Sequence, residues 1–136
     1  YGAEQLDVVP DFLNLYEGGI EKFAEEISEI SSIGLPTTII LDTQKLPKEK
    51  LSLAIDACID SGARGIQTGN GFGLIANQTH ILELCSLTKN RCAIKAAGGI
   101  KSLSQVLELI DSGVSAIGTS FGIDIAKQSK NHLDQK

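Results

Sequence analysis

Five times along this chain a turn signal leads into a short apolar run and then into a helical pattern, and no other feature limits the fold as much. Gly2-Ala3-Glu4-Gln5-Leu6, Gly62-Ala63-Arg64-Gly65-Ile66 and Gly113-Val114-Ser115-Ala116-Ile117 share the form Gly-small-x-x-aliphatic, and Gly34-Leu35-Pro36 and Asn90-Arg91-Cys92 fill the same slot elsewhere. A glycine or asparagine just past a helix takes the left-handed conformation that satisfies the last carbonyls. The apolar runs cover residues 6–9, 38–41, 65–67, 93–96 and 115–118. Short, nearly continuous apolar strands are what a parallel sheet covered on both faces requires.

Helical spacing fills the gaps. Ile20, Phe23, Ile27 and Ile30 recur at three- and four-residue intervals, as do Leu51, Ala54, Ile55, Cys58 and Ile59 behind Pro47, which is placed as a first-turn residue. Ile81, Leu84, Cys85 and Leu87 make a third stripe. Leu103, Val106, Leu107 and Ile110 make a fourth, with Ser102 as N-cap. A fifth begins at Ile123-Asp124-Ile125-Ala126 and is expected to dissolve into a polar tail from Lys127 to Lys136.

Five consecutive βα units form either a doubly wound sheet or part of a closed barrel. A full parallel (β/α)8 TIM barrel needs at least about 200 residues, and this chain has 136, no methionine, and an opening at Tyr1-Gly2-Ala3 that reads as the end of a helix–strand loop. The expectation is therefore the last five units of an α/β barrel, strands 4–8 with their helices over residues 1–126, followed by the tail over 127–136. Standing alone, such a piece exposes two sheet edges. It is expected to pair with the absent N-terminal barrel segment or to form a homo-oligomer.

Composition narrows the function. A net charge of −5 with scattered signs argues against a nucleic-acid surface. No apolar run approaches the roughly 20 residues of a membrane span, and no signal-peptide pattern is present. Cys58, Cys85 and Cys92 form no CxxC pair and read as buried free thiols, which fits a reducing cytoplasm.

Chemistry is expected where the strands end. Gln67-Thr68-Gly69-Asn70-Gly71 and Lys95-Ala96-Ala97-Gly98-Gly99 each follow an apolar run and pass through glycines into a helix. In barrels the loops after strands 7 and 8 often hold phosphate, and here those are Gly98-Gly99-Ile100-Lys101 and Gly118-Thr119-Ser120. Glycines let backbone N–H groups approach an anion, and the following helix adds positive potential; alternatively, the glycines only shape the turns. The other polar strand-end residues are Asp7, Asp42-Thr43, Gln67-Thr68 and Lys95. Lys95 stands inside an apolar strand, where desolvation or a second cation would make it a nucleophile or proton donor; alternatively its stem packs and its amine reaches water. Asp7 can pair with Lys95 or relay protons. Asp11, His80, His132 and the lysines between 45 and 50 read as surface residues, and neither a metal site nor a cofactor is expected.

These segments resemble the deoxyribose-phosphate aldolases, class I aldolases on a (β/α)8 barrel. The stretch from Ile94 to Lys101 is close to the family's K-A-S-G-G-[IV]-R, and that from Gly62 to Gly73 resembles G-A-D-F-[VI]-K-T-S-T-G-F-[GS]. The resemblance implies reversible joining of acetaldehyde and glyceraldehyde 3-phosphate into 2-deoxyribose 5-phosphate through a lysine Schiff base. It places the partner lysine at Lys95, the proton-relay aspartate at Asp7, and substrate and phosphate contacts at Thr68, Gly71, Gly98, Gly99, Lys101, Gly118, Thr119 and Ser120. The Schiff-base position, however, is Gln67. An amide nitrogen delocalises its lone pair and does not attack an aldehyde, so the enamine route is closed. Thr68-Gly69-Asn70 in place of T-S-T is a second departure. Three readings follow: an aldolase-like protein with lost or impaired activity, a non-catalytic sugar-phosphate-binding barrel that regulates or pairs with an active paralogue, or a non-functional gene piece.

Overall fold

At each of the five turn signals the backbone is left-handed: φ is +76° at Gly2, +89° at Gly34, +97° at Gly62, +57° at Asn90 and +112° at Gly113. In this computed structural model, which describes residues 2–133, each signal precedes a strand. These are β1 (Leu6–Val8), β2 (Thr37–Ile40), β3 (Gly65–Gln67), β4 (Ala93–Ala97) and β5 (Ala116–Gly118). They pair in parallel in the order β1-β2-β3-β4-β5. Between and after them run α1 (Ile20–Ser31), α2 (Lys48–Asp60), α3 (Gln78–Thr88), α4 (Leu103–Asp111) and α5 (Gly122–Leu133).

Alternation along each strand sorts its side chains into two layers. Ile39, Ile66, Ile94 and Ala96 are buried under the helices, against Phe23 and Ile27 of α1, Leu51 and Ile55 of α2, and Ile81 and Leu84 of α3. The opposite face carries two registered rows, Asp7–Thr38–Gly65–Ala93 and Ile40–Gln67–Lys95–Ala116. An ion pair between Lys95 and Asp7 joins β4 to β1 across that face. Three strand spacings of a flat sheet would separate them by about 14 Å, more than two extended side chains reach. The sheet is therefore curled into part of a TIM barrel with these rows inside.

Several expectations need correction. β1 stops at Val8, because Pro10 restricts Val9 and offers no N–H to a ladder. Pro47 immediately precedes the first residue of α2 rather than lying within its first turn. The fifth helix does not dissolve at Lys127 but continues to Leu133. Cys58 is buried, whereas Cys85 and Cys92 are only half-buried; all three are free thiols. The expectations for Tyr1, the side chain of His132 and residues 134–136 lie outside the described residues. No helix is long and apolar enough to cross a membrane among the described residues.

Candidate active site

Lys95 is the middle residue of β4, and parallel pairing sets it beside Gln67 of β3 and Ala116 of β5. Its stem runs along the inner face past Gly118, where an added Cβ would stand 3.1 Å from Ala97 Cβ and 3.5 Å from Lys95 Cε. The absence of a side chain at 118 thus makes room for the lysine. The ammonium donates to Asp7, whose other oxygen accepts from Gln5 Nε2 at 2.9 Å. Gln5 also donates to Thr38 Oγ1 at 3.2 Å. The Lys95 hydrogen bond holds the Asp7 carboxyl below its usual range, against the opposing effect of burial, and Gln5 adds to the lowering.

Gln67 is only 7% exposed. Its Nε2 donates to the Gly69 carbonyl at 2.6 Å, and since a carbonyl only accepts, the amide orientation is fixed. Oε1 is thereby turned away from the loop backbone.

Beyond these strand ends lies a cleft of about 410 Å³. Ten of the eleven site residues chosen from the sequence line it: Asp7, Gln67, Lys95, Gly71, Gly98, Gly99, Lys101, Gly118, Thr119 and Ser120. Thr68 does not. Its hydroxyl donates to the Ala97 carbonyl and accepts from the Ala97 N–H, both at 3.0 Å, so it clamps the β3 end to the β4 end from within the core. Thr119 lines the cleft, yet its hydroxyl donates to the Ile100 carbonyl at 2.6 Å and accepts from Phe121 N at 3.0 Å. Ser120 is exposed, and its hydroxyl has no partner among the described residues.

The turn-shaping reading of the glycine loop is realised at two positions. A Cβ on Gly98 would meet the Leu74 carbonyl at 2.7 Å, and one on Gly99 would meet the Ile75 side chain at 2.7 Å. Both residues also have positive φ, +118° and +65°. Packing of the 74–75 segment is therefore one reason for glycine here. The N–H groups of Gly99 and Ile100 have no hydrogen-bond acceptor among the described residues. The backbone N–H of Lys101 is not free in this way, because it donates to Gln105 Oε1 at 2.8 Å. Its ammonium lies 5.6 Å from the centroid of the Phe121 ring at the cleft mouth.

Sequence reasoning missed Phe121 and Asn70 in the cleft wall, as well as Gln5 and the support behind the β3 loop. Asp42, left-handed at φ +49°, accepts from Asn70 N at 3.3 Å, and Thr43 N donates to the Thr68 carbonyl at 2.7 Å. His80 is not a surface residue as expected: its side chain is 11% exposed, and Nε2 lies 2.6 Å from Thr43 Oγ1. No sequence spacing could reveal a partner brought in by folding. Asp11, Lys45 and Lys48 are exposed as expected, whereas Lys50 is half-buried and its ammonium donates to the Leu15 carbonyl at 3.4 Å. A larger hollow of about 780 Å³ lies at the opposite strand ends. It presents Arg91, already paired with Asp56, and no acid–base pair.

No family model matches the chain. A deoxyribose-phosphate aldolase of Microcystis aeruginosa is 35% identical over 135 residues, covering 98% of this chain and 60% of that protein. A structure described as QR15, an aldolase, superposes with a TM-score of 0.92 at 32% identity, covering 99% of this chain and 63% of the other. The deoxyribose phosphate aldolase from Aeropyrum pernix, described as a tetramer, gives a TM-score of 0.84 at 29% identity over 95% of this chain and 56% of its own. The chain spans about three fifths of the length of the curated relatives it matches.

Proposed function

Because the chain belongs to the deoxyribose-phosphate aldolase family, we propose that its cleft binds a small sugar phosphate and that its aldolase activity is lost or strongly impaired. The observation that carries this reading is the convergence of ten of the eleven sequence-chosen residues on one cleft, with a tethered amide, Gln67, where the resemblance assigns the nucleophile. In this reading the phosphate lies between the Gly98–Lys101 and Gly118–Ser120 segments. The free N–H groups of Gly99 and Ile100, the Ser120 hydroxyl and the Lys101 ammonium supply its donors. The rest of the sugar extends inward to Gln67 and Lys95.

Covalent chemistry fails at two points. Gln67 has no nucleophilic lone pair. Lys95 sits on the neighbouring strand with its amine held by Asp7, so attack from there would start several ångströms from the position the rest of the cleft serves. A displacement near 1 Å can already cost about 10²-fold.

Titration with 2-deoxyribose 5-phosphate, read by thermal shift and by release of glyceraldehyde 3-phosphate, tests the proposal. A saturable rise in melting temperature without product release is expected. Absence of any shift at millimolar ligand, or turnover at a rate typical of enzymes, would contradict it.

A further inference from the structure

The inner end of the cleft has an unusual pair of neighbours. Gln67 and Lys95 are directly registered on adjacent strands, and both line the same space. One Nε2 hydrogen of Gln67 goes to the Gly69 carbonyl, which fixes the amide orientation, and Oε1, with no partner among the described residues, is the acceptor that Gln67 offers that space. Among the described residues the Lys95 ammonium has Asp7 as its partner, and an ammonium carries three donors. One wall therefore accepts and the adjoining wall donates.

From this juxtaposition we infer that the site selects sugar phosphates carrying a hydroxyl, rather than a free carbonyl, at the carbon between Gln67 and Lys95. The inference rests on the phosphate-binding reading above. A hydroxyl both donates and accepts, so it can take a hydrogen bond from Lys95 and give one to Gln67 Oε1. A carbonyl oxygen only accepts. It would satisfy Lys95 and leave Gln67 Oε1, on a residue 7% exposed, facing another lone pair without a donor. An unpaired polar group in such a place is costly, and sites built to hydrogen-bond a hydroxyl reject analogues that cannot reciprocate. An amine-bearing ligand would instead meet the Lys95 charge. Replacement of a nucleophilic amine by this amide thus changes what is recognised, from an electrophilic carbonyl to an alcohol.

Isothermal titration of the full chain with glycerol 3-phosphate, dihydroxyacetone phosphate and inorganic phosphate tests the inference. The first two differ at the middle carbon, which bears a hydroxyl in one and a ketone in the other. The alcohol is expected to bind about tenfold more tightly, the size of one reciprocal hydrogen bond. In Gln67→Met, which keeps the length of the side chain without the acceptor, the ratio is expected to fall towards one, with circular dichroism checking the fold. Should that variant not fold, the ratio measured on the unaltered chain decides alone. Equal binding of the alcohol and the ketone, or a preference for the ketone, would overturn the inference while leaving the phosphate site intact. If none of the three probes binds, the phosphate reading fails and this inference falls with it.

Discussion

In the proposed function a single side chain separates what this cleft holds from what it can do to its ligand. Gln67 occupies the strand end to which the resemblance assigns the Schiff-base lysine, and its amide is tied into its own loop through the Gly69 carbonyl. Around it, the chemical character of Asp7 is set by contact. The carboxyl is held low by Lys95, so the unfolded chain binds its proton first as pH falls. The stabilisation is complete above pH about 4 and is lost as pH drops through the lowered folded value. Between pH 5 and 2 the stability of the unaltered protein is expected to fall more steeply than that of Asp7→Asn, as measured by urea unfolding at each pH. Backbone shape is equally specific at Gly98. Alanine there would strain a positive φ and press its Cβ against the Leu74 carbonyl. Gly98→Ala is expected to lose about 2 kcal/mol or more, seen as a lower urea midpoint with unchanged slope. Lys95, Asp7 and the glycines were legible in the sequence because strand ends in a parallel sheet are few and their residue types are out of place there. Thr68 was not, since a strand-end hydroxyl can turn to the cleft or to a neighbouring backbone, and only the position of Ala97 decides.

Among elements, α1, α2 and α3 bury or half-bury the apolar residues whose spacing predicts them. On α4, by contrast, Leu107 and Ile110 are exposed, and Leu109, outside the expected stripe, is the buried residue. Ser102 caps α4 as expected. Its hydroxyl accepts from Gln105 N while Gln105 Oε1 accepts from Ser102 N, a reciprocal capping box. Ser102→Ala is expected to cost about 1 kcal/mol in chemical denaturation. The start of α3 is capped by Asn77, whose Oδ1 accepts from His80 N, and is fastened further through the His80 ring to Thr43 on the loop after β2. Within α3 the ring also lies 3.5 Å from Glu83. Burial lowers the His80 pKa, more than Glu83 raises it. The unfolded chain therefore takes up this proton more readily, and stability is lost as pH falls through about 6.5 towards the lower folded value. A decline in melting temperature between pH 7 and 5 is expected, and His80→Gln should flatten it. This fastening was invisible in the sequence because a lone histidine gives no periodic signal and Thr43 lies 37 residues away.

For the whole molecule, the repeat of turn, strand and helix was sufficient to set the topology, since five parallel strands with intervening helices admit few arrangements. Closure of the sheet was less accessible to sequence alone. Its curvature is shown by the reach of Lys95 across the inner face to Asp7. The outer layer thins along the sheet: α2 buries five residues, whereas α4 buries only Leu109. Near the β5 end Ile123 is 74% exposed and Phe121 41%, so apolar surface remains uncovered beside the edge strand.

The central claim is that this barrel segment keeps a sugar-phosphate cleft without the nucleophile for covalent aldol chemistry. Incubation with acetaldehyde, reduction by borohydride and peptide mapping by mass spectrometry test that claim most directly, because only an imine is fixed as a covalent adduct. Surface lysines provide the background level of modification. The expected result is no adduct at Gln67 and no enrichment at Lys95 above that background. A near-stoichiometric, phosphate-competable adduct at Lys95 would contradict the account and move the nucleophile one strand along the barrel.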